Sequence, residues 1–162
     1  MTLLAHARDR HAQDDGQIAI LIVFFAIIIA ALITAVVDVS TVFLAQRELQ
    51  SVADGAALNA AQQPNIDTVY GAGLGGQLPL SSAQVHDSVA TYAANAARIP
   101  HECHAASFGV RTSQLLPDGQ TVAVTMTCTV PLPFVNVVSR LWSKGVTINE
   151  SAHARSPVVP GG

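Results

Sequence analysis

Charge is scarce in this chain. Of 162 residues only 12% are charged, and eight Lys and Arg stand against eleven Asp and Glu. So few cations exclude the basic footprint that nucleic-acid binding needs. A second apolar run of membrane length is also missing, so the 50% apolar content does not describe a multi-pass protein. Spacings that carry catalysis are absent as well. GAGLGG at Gly71 to Gly76 has no Lys-Ser/Thr after it and no strand before it, and reads as a flexible linker rather than a phosphate loop. Ser, His and Asp occur without a nucleophile elbow, and no paired-carboxylate site is evident. The expectation is therefore a protein that is not an enzyme, with no catalytic residue, no cofactor, no metal and no small-molecule substrate.

What is present is one long apolar segment. Ile18 to Val37 reads IAILIVFFAIIIAALITAVV, twenty positions without a charge and with one hydroxyl, Thr34. At ~1.5 Å per residue this run is ~30 Å long, the thickness of a bilayer's hydrocarbon core. A secretory signal has a shorter apolar region, about 7–15 residues, ending at a small-x-small site. Here the run is longer and passes Asp38 into further helical pattern without a break, so a retained anchor is expected. Arg8 and Arg10 precede the span, whereas Arg47 alone follows within twenty residues. The positive-inside rule then puts the N-terminus in the cytoplasm and the C-terminal part outside.

After the span, Val39, Val42, Phe43, Leu49, Val52, Ala53, Ala56 and Ala57 recur at helical spacing, with Gln46, Arg47, Glu48, Gln50 and Asp54 on much of the opposite face. One helix from about Gln17 to about Gln62, stopped before Pro64, is the simplest reading. Ser81 or Ser82 caps a second helix to about Ile99, ahead of Pro100. The period then falls to two. Phe108, Val110 and Thr112 share a face, Leu116-Pro117-Asp118-Gly119 signals a turn, and TVAVTMTCTV is a half-buried strand. Phe134 to Trp142 reads as a short amphipathic turn, and Val146 to Arg155 as a last strand. The fold class is α+β: a long membrane helix, a second helix and a small antiparallel sheet of about three strands. The segments are a tail at 1–15, a span at 16–38, an amphipathic extension at 39–63, a linker at 64–80, an external domain at 81–156 and a loose end at 157–162.

Within DDGQIAILIVFFAIIIAALITAVVDVSTVFLAQRELQSVADGAALNAAQ, a Gly beside the membrane (Gly16) is followed by the apolar run and an Asp at its exit (Asp38). An Arg-x-Leu-Gln element (Arg47, Leu49, Gln50) and an Ala-Asp-x-Ala-Ala-Leu-x-Ala-Ala close (Ala53 to Ala61) complete the set. In these features the segment resembles the N-terminal part of Tad/Flp pilus-assembly proteins of the TadE/TadG type, over roughly residues 14 to 63. The rest of the chain is compatible with the small external domain of pilin-like minor subunits. Prepilin processing in such proteins usually needs an acid five positions after the cleaved Gly; counted from Gly16 that position holds Leu21, so such cleavage is not expected. The metal-binding domain of larger members is also not expected. Asp38-Val39-Ser40-Thr41-Val42 lacks the third residue of its Asp-x-Ser-x-Ser signature.

Several residue sets carry two readings. Asp38, where lipid gives way to water, is either a solvated interfacial charge or a packing contact to a basic group on a neighbouring subunit. Arg47 and Asp54 invite the same question. Ala53, Ala56 and Ala57 would let another helix approach closely, or would pack on the chain's own domain. Cys103 and Cys128, the only cysteines, form a disulfide if the external topology holds; otherwise they are two thiols, Cys128 a small core residue. His101-Glu102-Cys103-His104 has metal-ligand residue types, but adjacent residues cannot all aim at one ion, and polar loop residues flanking a disulfide are the simpler reading. The sequon Asn149-Glu150-Ser151 is too short a match to carry weight.

The functional expectation is a non-enzymatic single-pass component of a Tad-type pilus or related secretion apparatus, in the cell membrane. Its partners would be the membrane and pilin-like or platform subunits, engaged by helix packing with Asp38 and Arg47 setting register. A membrane-tethered external binding or sensor module is the alternative. It leaves the ADGAALNAAQ extension of the span unexplained.

Overall fold

The computed structural model describes residues 3–63, 80–95, 98–132 and 145–156, with side chains from residue 18 onward. Its elements are a long helix α1 (Leu3–Ala61), a helix α2 (Ser82–Ala93), a 3-10 turn (Ala105–Ser107) and three strands, β1 (Gly109–Leu115), β2 (Thr121–Val130) and β3 (Val146–Arg155). The linker motif at 71–77, the amphipathic turn at 134–142 and the C-terminal end at 157–162 lie outside the described residues. The chain divides into two compact units, Met1–Val39 and Ser40–Gly162.

In the first unit, α1 begins at Leu3 rather than near Gln17. The first 15 residues contain no Gly or Pro, and Gly16 alone costs a helix only ~1 kcal/mol, too little to break it. From Ile18 to Val37 every side chain but the half-buried Thr34 is exposed, around the whole circumference of the helix. Thr34 returns its hydroxyl to Ala31 O at 2.8 Å, so the one polar side chain of the run is satisfied within the helix. A helix apolar on all sides is stable only inside a core or a bilayer. This one is long and apolar enough to cross a membrane.

The second unit is an α+β domain. Strand order is β1-β2-β3, antiparallel throughout. β2 alternates strictly: Val122, Val124, Met126, Cys128 and Val130 are buried, and the residues between them are half-exposed. The threonines of that outer face are paired across the sheet, Thr125 Oγ1 with Ser151 Oγ at 2.9 Å and Thr129 Oγ1 with Thr147 Oγ1 at 3.2 Å. On the inner face, Ala45, Leu49, Ala53, Ala56, Ala57, Ala60 and Ala61 of α1 join β2 and the α2 residues Val85 and Val89 in one core. Small side chains on α1 let its backbone come close to its neighbours, and helical spacing gathers them into one stripe.

The sheet departs from simple alternation in β1. Val110 pairs with Met126 but Thr112 pairs with Thr125, so Arg111 is an extra, unpaired residue. This bulge turns Val110 and Thr112 to opposite faces, where the period-two pattern put them together. It brings Ser113 into the core side, where its Oγ meets His86 Nδ1 at 2.6 Å, linking β1 to α2. Arg111 itself reaches Asn149 Oδ1 across the outer face at 3.1 Å.

The β1–β2 turn and the entry to β3 each rest on local chemistry. Gly119 N–H donates to Leu116 O, and Asp118 accepts from the backbone of Gln120 and Thr121 and from Thr121 Oγ1. Those three donors hold the Asp118 carboxyl at a pKa of about 2, with the Thr121 hydroxyl the largest cause. Ahead of β3, Gly145 has φ +99°, and a Cβ there would press on the Val130 carbonyl, so only glycine fits.

α2 ends at Ala93, six residues before the expected Ile99. The chain turns there so that the Arg98 guanidinium lies over the Tyr92 ring, 3.4 Å from its centroid, and donates to Tyr92 O at 3.0 Å. A side-chain cation thus caps a terminal carbonyl that further helix would otherwise have satisfied. Beyond this turn, Cys103 and Cys128 are bonded, with Cα atoms 5.7 Å apart. The bond ties the loop after α2 to the central strand. Glu48 of α1 holds the same loop, its Oε2 accepting the His101 N–H at 2.9 Å.

Candidate assembly face

Beyond the apolar run, α1 has two faces with different fates. One is spent inside the domain. Ala53, Ala56 and Ala57 have no exposed surface. Of their two readings, the structure gives the one in which they pack on the chain's own core. Asp38 is also withdrawn from solvent, at 7% exposure.

The other face looks outward. Ser40, Phe43, Arg47, Ser51, Asp54 and Leu58 are all exposed and recur at intervals of three and four, so they form one stripe along the helix. Phe43 is 57% and Leu58 52% exposed, and Leu44 beside them is 53% exposed. The periodic apolar set read from the sequence therefore divides. Leu49 and Ala53 face in, while Val39 and Phe43 face out. Two near-parallel stripes of a helix read alike in a list of apolar spacings, and only the position of the sheet separates them.

Charge on this stripe is sparse and ordered. Arg47 lies over the Phe43 ring, 5.7 Å from its centroid. Asp54 accepts from Gln50 Nε2 at 3.0 Å, one turn away. The Gln50 amide also contacts Ser151 O at 3.5 Å. Arg47, Gln46, Gln50 and the β3 residue Glu150 border a shallow recess of about 260 Å³. Arg47 and Asp54 carry opposite charge on one line, seven residues and so ~10.5 Å apart along the helix.

Comparison with known families addresses this same helix. Residues 16–63 match the Tad family model, putative Flp pilus-assembly TadE/G-like. The Tad-like segment begins at Gly16 and closes at Gln63, so it holds the apolar run, Asp38, both faces of the extension and the alanine close. It agrees with the resemblance seen in the sequence. No curated protein matches the chain, and no solved structure does.

Sequence reasoning singled out Arg47 and Asp54, and both stand on the exposed stripe. It did not single out Leu44 or Leu58, and it placed Phe43 in one apolar set with Leu49. The signal that finds Phe43 and Leu58 is the 40-43-47-51-54-58 spacing, which is as regular as the buried one; Leu44 lies beside that line. The His101–His104 group is not gathered around a site. Its Cys103 sulfur is in the disulfide and so is no thiolate ligand. Among the described residues no three His, Cys, Asp or Glu side chains converge on a point that would hold a metal.

Proposed function

We propose that this protein is a non-enzymatic, single-pass membrane component of a Tad/Flp-type pilus assembly or related secretion apparatus, working through helix packing with pilin-like or platform subunits. One observation carries the reading: the Tad-like match takes in the apolar run and its extension together, and that extension keeps an apolar stripe exposed while its other face is in the core. A plain tether has no use for such a stripe. In this reading the N-terminus is cytoplasmic and residues 81–156 form the external domain.

Phe43, Leu44 and Leu58 supply apolar contact area to the partner helix, and Arg47 and Asp54 fix its register. Partners inserted in one membrane with the same orientation pack in parallel. An offset of two helical turns, ~10.5 Å, sets the Arg47 level of one helix beside the Asp54 level of another. Asp38 acts at the membrane exit, and Ala53, Ala56 and Ala57 contribute by seating the extension firmly on its own domain.

The test is a pull-down of the C-terminally tagged chain from native membranes in mild detergent, with mass spectrometry of partners and of the intact chain. Recovery of pilin-like subunits or a secretion ATPase with an uncut N-terminus is expected. A monomer free of such partners would sink the assembly reading in favour of a tethered binding module. A mass lacking residues up to Gly16 would make the protein a processed minor pilin.

A further inference from the structure

One edge of the sheet is left open, and the bonds around it fix the direction of its backbone groups. Leu116 N–H donates to Thr121 O at 2.8 Å and His104 N–H to Thr129 O at 2.9 Å, so the odd-numbered carbonyls of β2 point toward the β1 side. Ser156 N–H donates to Gln120 O at 2.9 Å, so the even-numbered ones point toward β3. In an antiparallel pair, opposed residues alternate between bonded and non-bonded. Val122 with Ala154, Val124 with Ala152, Met126 with Glu150, Cys128 with Ile148 and Val130 with Val146 are therefore the bonded pairs. The N–H and C=O groups of Thr147, Asn149, Ser151, His153 and Arg155 then point away from β2, along an edge with no strand beside it among the described residues. Gln50 Nε2 touches this edge at Ser151 O, 3.5 Å away.

Edges of this kind are usually shortened, bulged, covered or broken by Pro, since they invite another chain to pair. β1, the opposite edge, is bulged at Arg111 and bonded to α2 through Ser113 and His86. β3 is ten residues long, holds no Pro and pairs with β2 along its whole length without a bulge. What guards it is Glu150. This side chain is half-buried on the inner face, where it borders a recess of about 260 Å³ with Gln46, Arg47 and Gln50. A carboxylate there disfavours a wholly apolar strand but leaves room for a hydroxyl side chain of an incoming one. The edge is thus selective rather than closed.

The outer face beside the edge has a sign. Arg111 reaches across to bond Asn149 Oδ1 at 3.1 Å, which uses one of its five N–H donors. His153 and Arg155 follow on β3, at alternate positions and both exposed. Arg155 is braced by Gln120 Oε1, which accepts from its Nε at 3.1 Å and its Nη2 at 2.7 Å. The outer-face residues of β2 and β3, the odd-numbered ones from 121 to 129 and from 147 to 155, include no carboxylate. Asp118, near enough to feel the Arg155 charge, already accepts from Gln120 and Thr121 in the turn. Alternate side chains of a strand added at β3 would lie beside these basic groups, within reach of opposite-charge pairing.

We infer that β3 takes up an extended acidic segment of a partner protein by strand addition. Main-chain bonds along the edge give the affinity, and alternate Asp or Glu side chains meet Arg111, His153 and Arg155. The inference does not depend on the assembly role of the α1 stripe. It is tested by amide-exchange NMR on the full chain in dodecyl maltoside micelles, with the peptides acetyl-TETETET-amide and acetyl-TKTKTKT-amide. In the free chain the amides of Thr147, Asn149, Ser151, His153 and Arg155 should exchange fast, and those of Ile148, Glu150, Ala152 and Ala154 slowly. The acidic peptide should slow the first set saturably, by about tenfold or more, and the basic peptide should not. Ser151→Pro removes the middle outward N–H without breaking the β2 ladder and should abolish the effect, with slow exchange at Ile148 and Ala152 showing an intact sheet. Arg155→Glu should weaken the acidic peptide by about two- to fivefold. The inference is overturned if the first set is already protected in the free chain, or if saturating acidic peptide leaves it unprotected. It is equally overturned if the basic peptide protects as well, if Ser151→Pro with an intact sheet still binds, or if Arg155→Glu binds as tightly as the parent.

Discussion

Gly55 offers the sharpest check on how α1 and α2 are fitted together. It lies inside a long helix, where glycine is worth ~1 kcal/mol less than alanine. Taken from the helix alone, Gly55→Ala should stabilise. The packing says otherwise. A Cβ at Gly55 would overlap the Tyr92 hydroxyl and stand 3.0 Å from the ring carbon that bears it. The ring has little room to retreat, because the Arg98 guanidinium lies 3.4 Å from its centroid. Forcing a methyl into such a contact costs ~1–3 kcal/mol, which outweighs the propensity gain. The expected net is a loss of about 1 kcal/mol, read as a fall of roughly 3–5 °C in melting temperature for a domain of this size. Near-UV circular dichroism of the full chain in micelles is the suitable assay, since it follows tyrosine and disulfide packing rather than the span. In a Tyr92→Phe background the overlapping oxygen is gone, and Gly55→Ala should become about neutral. A double-mutant cycle would therefore show coupling between the two sites. If Gly55→Ala raises the melting temperature, or costs the same in both backgrounds, the close approach of Tyr92 to α1 is not what keeps a glycine there.

Three further expectations follow from other parts of the structure. Replacing Cys103 and Cys128 by Ser should cost about 3.5 kcal/mol by the chain-entropy relation for a separation of 25 residues, measured as a shift in urea midpoint. An unshifted midpoint would mean that the loop after α2 is restrained by Glu48 and the core alone. Asp118 has its folded pKa lowered from 3.8 to about 2, so its contribution to stability is present above pH ~4 and is lost as pH falls toward 2. Asp118→Asn should flatten that acid limb of the stability curve, and a limb identical to the parent's would refute the assignment. Arg47→Asp should weaken co-purification of partner subunits. If the partners are copies of this chain, adding Asp54→Arg should restore the complementary pair and much of the yield, whereas failure of the double variant to recover would remove the charge pair from the assembly model.

The two helices and the sheet were legible because each has a period that physics ties to one conformation. TVAVTMTCTV and the stretch from Val146 to Arg155 became strands with the bounds read from the sequence. Alternation with a half-buried face leaves little other choice. The bulge at Arg111 was not legible, because one extra residue leaves the composition of a strand unchanged and shows only in its partner's register. The early end of α2 was hidden for a similar reason. Nothing in Ala94 to Ile99 forbids helix, and the turn is held by Arg98 folding back on Tyr92, a contact between residues six apart.

On the candidate face, residue types and spacing along α1 establish by themselves that this is a long helix, apolar enough to span a membrane and amphipathic beyond it. They also suffice for the Tad resemblance, since that lies in the linear order of Gly16, the apolar run, Asp38 and the alanine close. Which side of the extension stays available is a different kind of fact. Ala53, Ala56 and Ala57 suit another helix or the chain's own sheet equally well, and Phe43 could have gone inward with Leu49. A helix has no preferred face until something packs against it. Here β2 and α2 cover the alanine stripe and leave Phe43, Arg47, Asp54 and Leu58 in the open. That choice was made by long-range contacts, and it separates the residues that build this domain from those free to meet a partner.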